Sequence, residues 1–348
     1  RHPVDPDKIG YGSHFKIIKD SDARPSTIEY WFRKRLAKGG YPRFGAIGGA
    51  AKLVFTYQEN KIIRSYLDEE GKPMLNYWKV AVEEIELDDQ GHKKTMIYKD
   101  LDGNRIEDSR GVWEMNWKVG ADGKEVIETR MARDGSTRRF NNFLDFGKVK
   151  MVFNELGLRT ETWNVDDNGN AINSEKRQVA GVYTRWDEHT LDEKQITWVD
   201  TDGKPKDVAP FEVMEGNYGF CTEKYSHDVN GNIIGLTKYN ANGSLVTPEA
   251  DGNVFNRSIY DDYGFLIDQR YFDSSGVPSL NKNGIARVEL IRDTTRLVTE
   301  ARFYGLDGKL KNRLTDGAAQ ITFQYDEQGQ FVGRKQFDSN GNELTLKN

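Results

Sequence analysis

The chain reads as an all-β protein: an elongated antiparallel β-hairpin repeat array of about nine units of roughly 33 residues, preceded by a short helical N-terminal cap. Three observations predict it. A tetrapeptide turn of the form Asp-x-x-Gly recurs along the chain. The turns come in pairs twelve residues apart. The pairs themselves return at a nearly constant interval.

The expected domain boundary lies near residue 50, with a cap over 1–50 and the array over 51–348. Within the cap, Ser26-Thr27-Ile28-Glu29 has the form of a capping box, and Tyr30–Ala37 followed by Gly39-Gly40 reads as one short amphipathic helix. A repeat array needs its first unit covered, and this helix is expected to cover it.

Beyond the cap, Gly91/Gly103, Gly123/Gly135, Gly157/Gly169, Gly231/Gly243, Gly264/Gly276 and Gly329/Gly341 are twelve apart. Leu191/Gly203 and Arg296/Gly308 keep the spacing after losing the first glycine. The second glycines fall at 71, 103, 135, 169, 203, 243, 276, 308 and 341, and the long step from 203 to 243 points to an insertion around Asp207–Gly219. Aspartate at the first turn position bonds the backbone two residues on, and glycine at the last accepts a positive φ. Between paired turns the residues alternate in character, as in Leu266, Asp268, Arg270 and Phe272, and period two means strand. A short third stretch often opens on proline, as at Pro73, Pro205 and Pro278, which suits a strand start or a sheet edge. Each repeat therefore reads strand, turn, strand, turn, short strand, loop.

Composition narrows the function classes. With 348 residues, 30% charged, 36% hydrophobic and 11% aromatic, the chain is lean yet aromatic-rich, as suits a thin core shared between neighbouring repeats. The net charge of −5 argues against a nucleic-acid partner, which needs a basic surface. No apolar run approaches the ~20 residues of a membrane helix. Cys221 is the single cysteine, so an internal disulfide and CxxC metal sites are excluded. The chain opens on Arg1 with no signal peptide, and the expectation is that a segment was removed; an exported protein that lost its signal would look like this and so would a truncated cytosolic one, with a periplasmic, cell-surface or secreted setting favoured.

The units Tyr260–Gly264, Tyr271–Gly276, Asn283–Ala286, Tyr325–Gly329 and Phe337–Gly341 resemble the aromatic-Asp-x-x-Gly hairpin repeats of bacterial proteins, similar in style to MORN-like and WG repeats without the signature of either. The resemblance runs over about residues 55–348 and degrades where Gly120 and Ala132 replace turn aspartates. It implies stacked hairpins and an interaction role, and no catalytic residue.

No chemical motif emerges. His2, His14, His92, His189 and His227 lack metal-ligand spacing, and no nucleophile elbow or phosphate loop is present; Gly45–Gly49 lacks the following Lys-Ser/Thr. Asn164, Asp166, Asn168 and Glu175 match a calcium-loop spacing, but Asp-x-x-Gly is also the repeat's own turn. The expectation is no enzyme, no cofactor and no metal. Trp113, Trp117, Trp163, Trp186 and Trp198 gather where the repeat is most eroded, between 110 and 200. Exposed on a thin sheet, they would anchor a peptide or stack on sugars; buried, they would fill the inter-repeat core. The sequence thus predicts a non-catalytic scaffold for a protein partner, with a carbohydrate or cell-wall module as the alternative.

Overall fold

The computed structural model describes residues 14–32, 35–38, 48–139, 145–209, 219–246, 255–273, 275–327 and 331–345, and in all of them the ordered elements are strands. They divide into two compact units, residues 14–176 and 177–345. The N-terminal unit holds β1 (His14–Lys19), β2 (Pro25–Phe32), β3 (Arg35–Leu36), β4 (Lys52–Gln58), β5 (Lys61–Leu67), β6 (Val82–Leu87), β7 (Lys93–Lys99), β8 (Arg105–Ile106), β9 (Glu114–Val119), β10 (Glu125–Met131), β11 (Lys148–Phe153) and β12 (Arg159–Val165). The C-terminal unit holds β13 (Gly181–Trp186), β14 (Glu193–Val199), β15 (Thr222–His227), β16 (Ile233–Tyr239), β17 (Phe255–Tyr260), β18 (Leu266–Phe272), β19 (Arg287–Arg292), β20 (Val298–Tyr304), β21 (Gln320–Tyr325), β22 (Phe331–Phe337) and β23 (Glu343–Leu344). In each unit a six- or seven-residue strand folds back antiparallel on its successor, and each hairpin pairs with the next.

The turn works as its residue types require. At Asp100 one carboxylate oxygen accepts the amides of Asp102 (3.0 Å) and Asn104 (2.8 Å), while the Gly103 amide donates to the Asp100 carbonyl. Gly103 sits at φ +82°, with open space where a Cβ would stand, so glycine is there for its backbone freedom and not for room. The positions that lost the glycine keep the conformation: Leu191 lies at φ +59° and Arg296 at +73°. The short third stretch is a single β-bridge in most repeats, as in Leu67–Pro73, Val199–Pro205 and Phe272–Pro278.

A third turn, not anticipated from the sequence, closes the repeat. Asn76 holds the Trp78 and Val80 amides, Asp108 those of Arg110 and Val112, and Asn281 those of Asn283 and Ile285, each through one side-chain oxygen. Just after it comes a buried pair: Ala50-Ala51, Val80-Ala81, Val179-Ala180, Ile285-Ala286, Ala318-Ala319. The second residue of each pair donates its amide to the end of its own hairpin, Ala51 to Leu67, Ala81 to Lys99, Ala286 to Tyr304 and Ala319 to Phe337. The carbonyl of the same residue accepts from the preceding hairpin, from Tyr30, Tyr66, Tyr271 and Phe303 respectively. This slot is where neighbouring repeats are stitched together, and a small side chain lets the backbones approach.

The helical cap is a correction. Residues 25–32 are strand β2, and β1–β2 is a further hairpin turned by Asp20 with Ala23 at φ +61°. The reason lies in the run Thr27, Ile28, Tyr30, Trp31, Phe32, whose branched and aromatic side chains favour a pleated surface. The apparent capping box does other work: Ser26 Oγ donates to the Ile18 carbonyl, and Glu29 takes the Trp31 indole N–H (3.0 Å) and faces Lys52. Gly39-Gly40 lies outside the described residues.

The core of the N-terminal unit lies on one face of its sheet, around Leu53, Tyr66, Ile85, Met96, Tyr98 and Met115, with Met74, Trp78 and Ile106 packed onto it. A smaller core in the C-terminal unit is built on Ile285, Ala301, Phe303, Ala318 and Ile321.

Candidate functional site

The five expected tryptophans do not form one row. Trp117 lies on the core face, where its indole N–H donates to Glu128 (2.9 Å), directly opposite in the ladder, and the Lys93 ammonium lies 5.6 Å from its ring. Trp163 is buried on the other face of the same sheet, opposite Lys150, with its N–H on Glu161 (2.7 Å). Trp186 and Trp198 belong to the C-terminal unit. Trp186 is half-buried at the end of β13, and Trp198 is buried edge-on against Phe220, with ring centroids 6.5 Å apart. Trp163 and Trp198 are therefore buried packing residues.

Trp113 is different. It occupies the stitching slot, donating its amide to the Met131 carbonyl (2.7 Å), as the residue there does in the other repeats. In six other repeats the slot holds Ala51, Ala81, Ala180, Cys221, Ala286 or Ala319, all buried, and before β11 it holds Gly147. An indole does not fit where alanine is fully enclosed, and the ring is only half-buried. It lies between two guanidinium groups, Arg105 at 4.3 Å and Arg133 at 5.1 Å.

The surroundings extend the pattern. The third turn Asp108–Gly111 runs alongside: the Ser109 amide donates to the Trp78 carbonyl, and Arg110 stacks on the Trp78 ring at 4.9 Å. Arg138 donates to the Gly111 carbonyl (3.0 Å). Tyr77, 44% exposed, stands beside Trp78, and its ring passes so close to Gly49 that a Cβ there would lie 2.6 Å from it. That contact gives the Gly48-Gly49 pair a packing role. Arg105 is paired with Glu114, and Arg110 with the buried Asp108 carboxylate. The surface thus joins Tyr77, Trp78 and Trp113 with four guanidinium groups, of which two, Arg133 and Arg138, make no ion pair among the described residues; Glu107 accepts the Arg133 backbone amide (2.7 Å), and the Asp134 carboxylate lies within the field of Arg138.

Nearby on the core face, Tyr66 Oη donates to Glu83 (2.9 Å), which also pairs with Arg64. Burial, with the Glu83 charge beside it, pushes the Tyr66 hydroxyl well above its ordinary range, so it stays a donor. Tyr66 and Arg64, both on β5, thus converge on Glu83 of β6 and hold the sheet.

The calcium-spacing residues serve the fold. Asp166 holds the Asn168 and Asn170 amides (2.9 Å each), and its carboxyl falls below the usual carboxylate range chiefly through the Asn170 amide. Asn164 is buried, accepting from Gly147 and donating to Ile172, and Glu175 is exposed in the loop beyond β12. A strand, not a helix, leads into this turn. Among the described residues no cluster of three His, Cys, Asp or Glu could hold a metal ion. Cys221 is fully buried, its thiol raised by desolvation and directed at the Trp198 carbonyl. Among the described residues no helix is long and apolar enough to cross a membrane. Residues 210–218 of the expected insertion, and His2, lie outside the described residues.

No family model matches the chain, and no curated protein does. Among solved structures, a TcdB2–TccC3 crystal structure matches with TM-score 0.31 and 9% identity, over 95% of this chain and 19% of that one. The Photorhabdus luminescens Tc holotoxin pore matches with TM-score 0.25 and 13% identity, over 94% and 18%. A porin-like protein from Bacteroides uniformis matches with TM-score 0.24 and 13% identity, over 67% and 86%. The chain spans about a fifth of the length of the first two. At these scores none of the likenesses bears on function.

Proposed function

We propose that the protein is a non-catalytic binding scaffold of the aromatic-Asp-x-x-Gly repeat type. In this reading the Tyr77–Trp78–Trp113 surface engages an acidic segment of a protein partner. The observation that carries the reading is Trp113, a large aromatic in a slot that alanine, glycine or cysteine fills in other repeats, held half-exposed between Arg105 and Arg133. Tryptophan and arginine are the residue types that dominate interface energetics. Arg133 and Arg138, which make no ion pair among the described residues, leave guanidinium groups free to meet an acidic contact on a chain of net charge −5.

A photocrosslinking residue at position 77, compared with one at Leu280, would identify the partner. Affinity measured with the purified partner then tests the site. Trp113→Ala should weaken binding by tenfold or more and Arg133→Ala by severalfold, with the melting temperature nearly unchanged. Undiminished affinity in Trp113→Ala would overturn the assignment.

A further inference from the structure

The N-terminal unit carries a second feature, on the sheet face opposite its core. Two cross-strand rows lie side by side there: Asn116–Thr129–Lys148 and Lys118–Ile127–Lys150, over β9, β10 and β11. The Asp166–Gly169 turn stands over them. Together they enclose a groove of about 320 Å³, lined by Asn116, Lys118, Ile127, Thr129, Lys148 and the Asp167–Gly169 backbone and side chains.

The lining is unevenly satisfied. Lys148 pairs with the fully exposed Asp167 (3.4 Å), and Lys150 with Glu125 (3.8 Å). Asn116 donates to Glu114 and rests on Met131. Lys118, the Thr129 hydroxyl and the Asn168 side-chain carboxamide have no partner among the described residues. The groove therefore offers one uncompensated ammonium with a hydroxyl and an amide around it, on a floor with a single apolar side chain. Its volume is several times that of one oxyanion and sits at the lower end of small-ligand sites.

We propose that this groove binds an acidic saccharide. Lys118 would take the carboxylate of a uronic-acid residue, Thr129, Asn116 and Asn168 its hydroxyls, and Ile127 the apolar sugar face. Asp167, exposed and held only by Lys148, would swing aside as the carboxylate enters. The site is independent of the Trp113 surface.

Titration calorimetry of the whole chain with tetragalacturonate tests it, alongside neutral maltotetraose, tetraglutamate and sodium acetate. Tetragalacturonate alone should bind, severalfold more weakly at 0.5 M than at 0.05 M salt. Lys118→Gln should weaken it tenfold or more and Thr129→Val severalfold, while Trp113→Ala leaves it unchanged. Absence of tetragalacturonate binding overturns the proposal. Equal binding of maltotetraose overturns the role of charge, and equal binding of tetraglutamate or acetate overturns the saccharide. Unchanged affinity in Lys118→Gln overturns the site.

Discussion

Two charge networks on the same repeat geometry behave differently. In the N-terminal unit, Arg64 stands directly opposite Glu83, and Glu83 directly opposite Tyr98, on the face that carries the core. In the C-terminal unit, Asp268 faces Glu289 and Arg270 faces Arg287 across the β18–β19 ladder, so like charges stand directly opposite. That is unfavourable in a direct pair, and the ladder resolves it diagonally: Arg287 bridges Asp268 and Glu289, and Arg302 ties Glu300 to the same run. The difference is burial. The Glu83 and Asp268 side chains are each 7% exposed, but the partners of Glu83 are a buried tyrosine and an arginine 25% exposed, whereas those of Asp268 are arginines 50% and 34% exposed. Where water still reaches the cations, the pair screens rather than locks.

The largest expected effect follows from this. Glu83→Ala strands the Tyr66 hydroxyl and the Arg64 guanidinium and should cost about 3 kcal/mol. Asp268→Ala releases two arginines that water can solvate and should cost about 1 kcal/mol. Hydrogen exchange read separately over β5–β6 and β18–β19 gives the two local stabilities, and a reversed ranking would break the comparison.

Next comes the stitching slot. Ala319→Leu forces a large side chain into a closed site and should cost roughly 1–3 kcal/mol. Trp113→Ala, in the equivalent slot of the N-terminal unit, should cost under about 1 kcal/mol because its ring is half-solvated. Urea unfolding of both variants decides whether the slot in fact differs between the units.

Acid should act on both units through the turns. Asp100 and Asp166 in one unit, and Asp187, Asp273 and Asp338 in the other, have carboxyls held below the ordinary range. The leading causes are the Asn104 and Asn170 amides for the first two, then the Lys194, Ser275 and Asn342 side chains. A depressed folded-state value means the stabilisation is complete above the unfolded-chain value near 3.9 and is lost as pH falls through the folded values. The urea midpoint should therefore be level from pH 7 to 5 and drop below about pH 4. A midpoint that rises on acidification would contradict the role given to these turns.

The smallest effect is a gain. Leu191→Gly removes the strain of a left-handed leucine and should stabilise the β13–β14 hairpin by about 0.5–1 kcal/mol. Gly276→Ala, placing a Cβ at φ +82°, should cost about 1 kcal/mol in the C-terminal unit. A melting temperature that rises in Leu191→Gly and falls in Gly276→Ala would sharpen the case that backbone conformation, not packing, governs these positions.

Much of this was legible. The paired turns are local chemistry, since one carboxylate and one glycine three residues apart carry their own instructions, and even Leu191 and Arg296 kept their φ where only spacing marked them. The helix expected at 26–37 failed because a capping-box pattern was weighed above the branched and aromatic run that follows. The third turn leaves a weaker trace, Gly111 eight after Gly103 and Gly284 eight after Gly276, because asparagine often replaces its aspartate and the glycine is absent from several repeats. Trp78 was missed because it lies outside the eroded repeats.

By itself the sequence determined the strands, the turns and the repeat, because each rests on hydrogen bonds within a few residues. Only the tertiary structure decided which face each side chain takes and what covers it. Trp163 and Trp198 are buried while Trp113, indistinguishable from them in the linear chain, is only partly buried and stands between two arginines. That outcome depends on how closely one hairpin's backbone approaches the next, which is set by contacts some thirty residues apart.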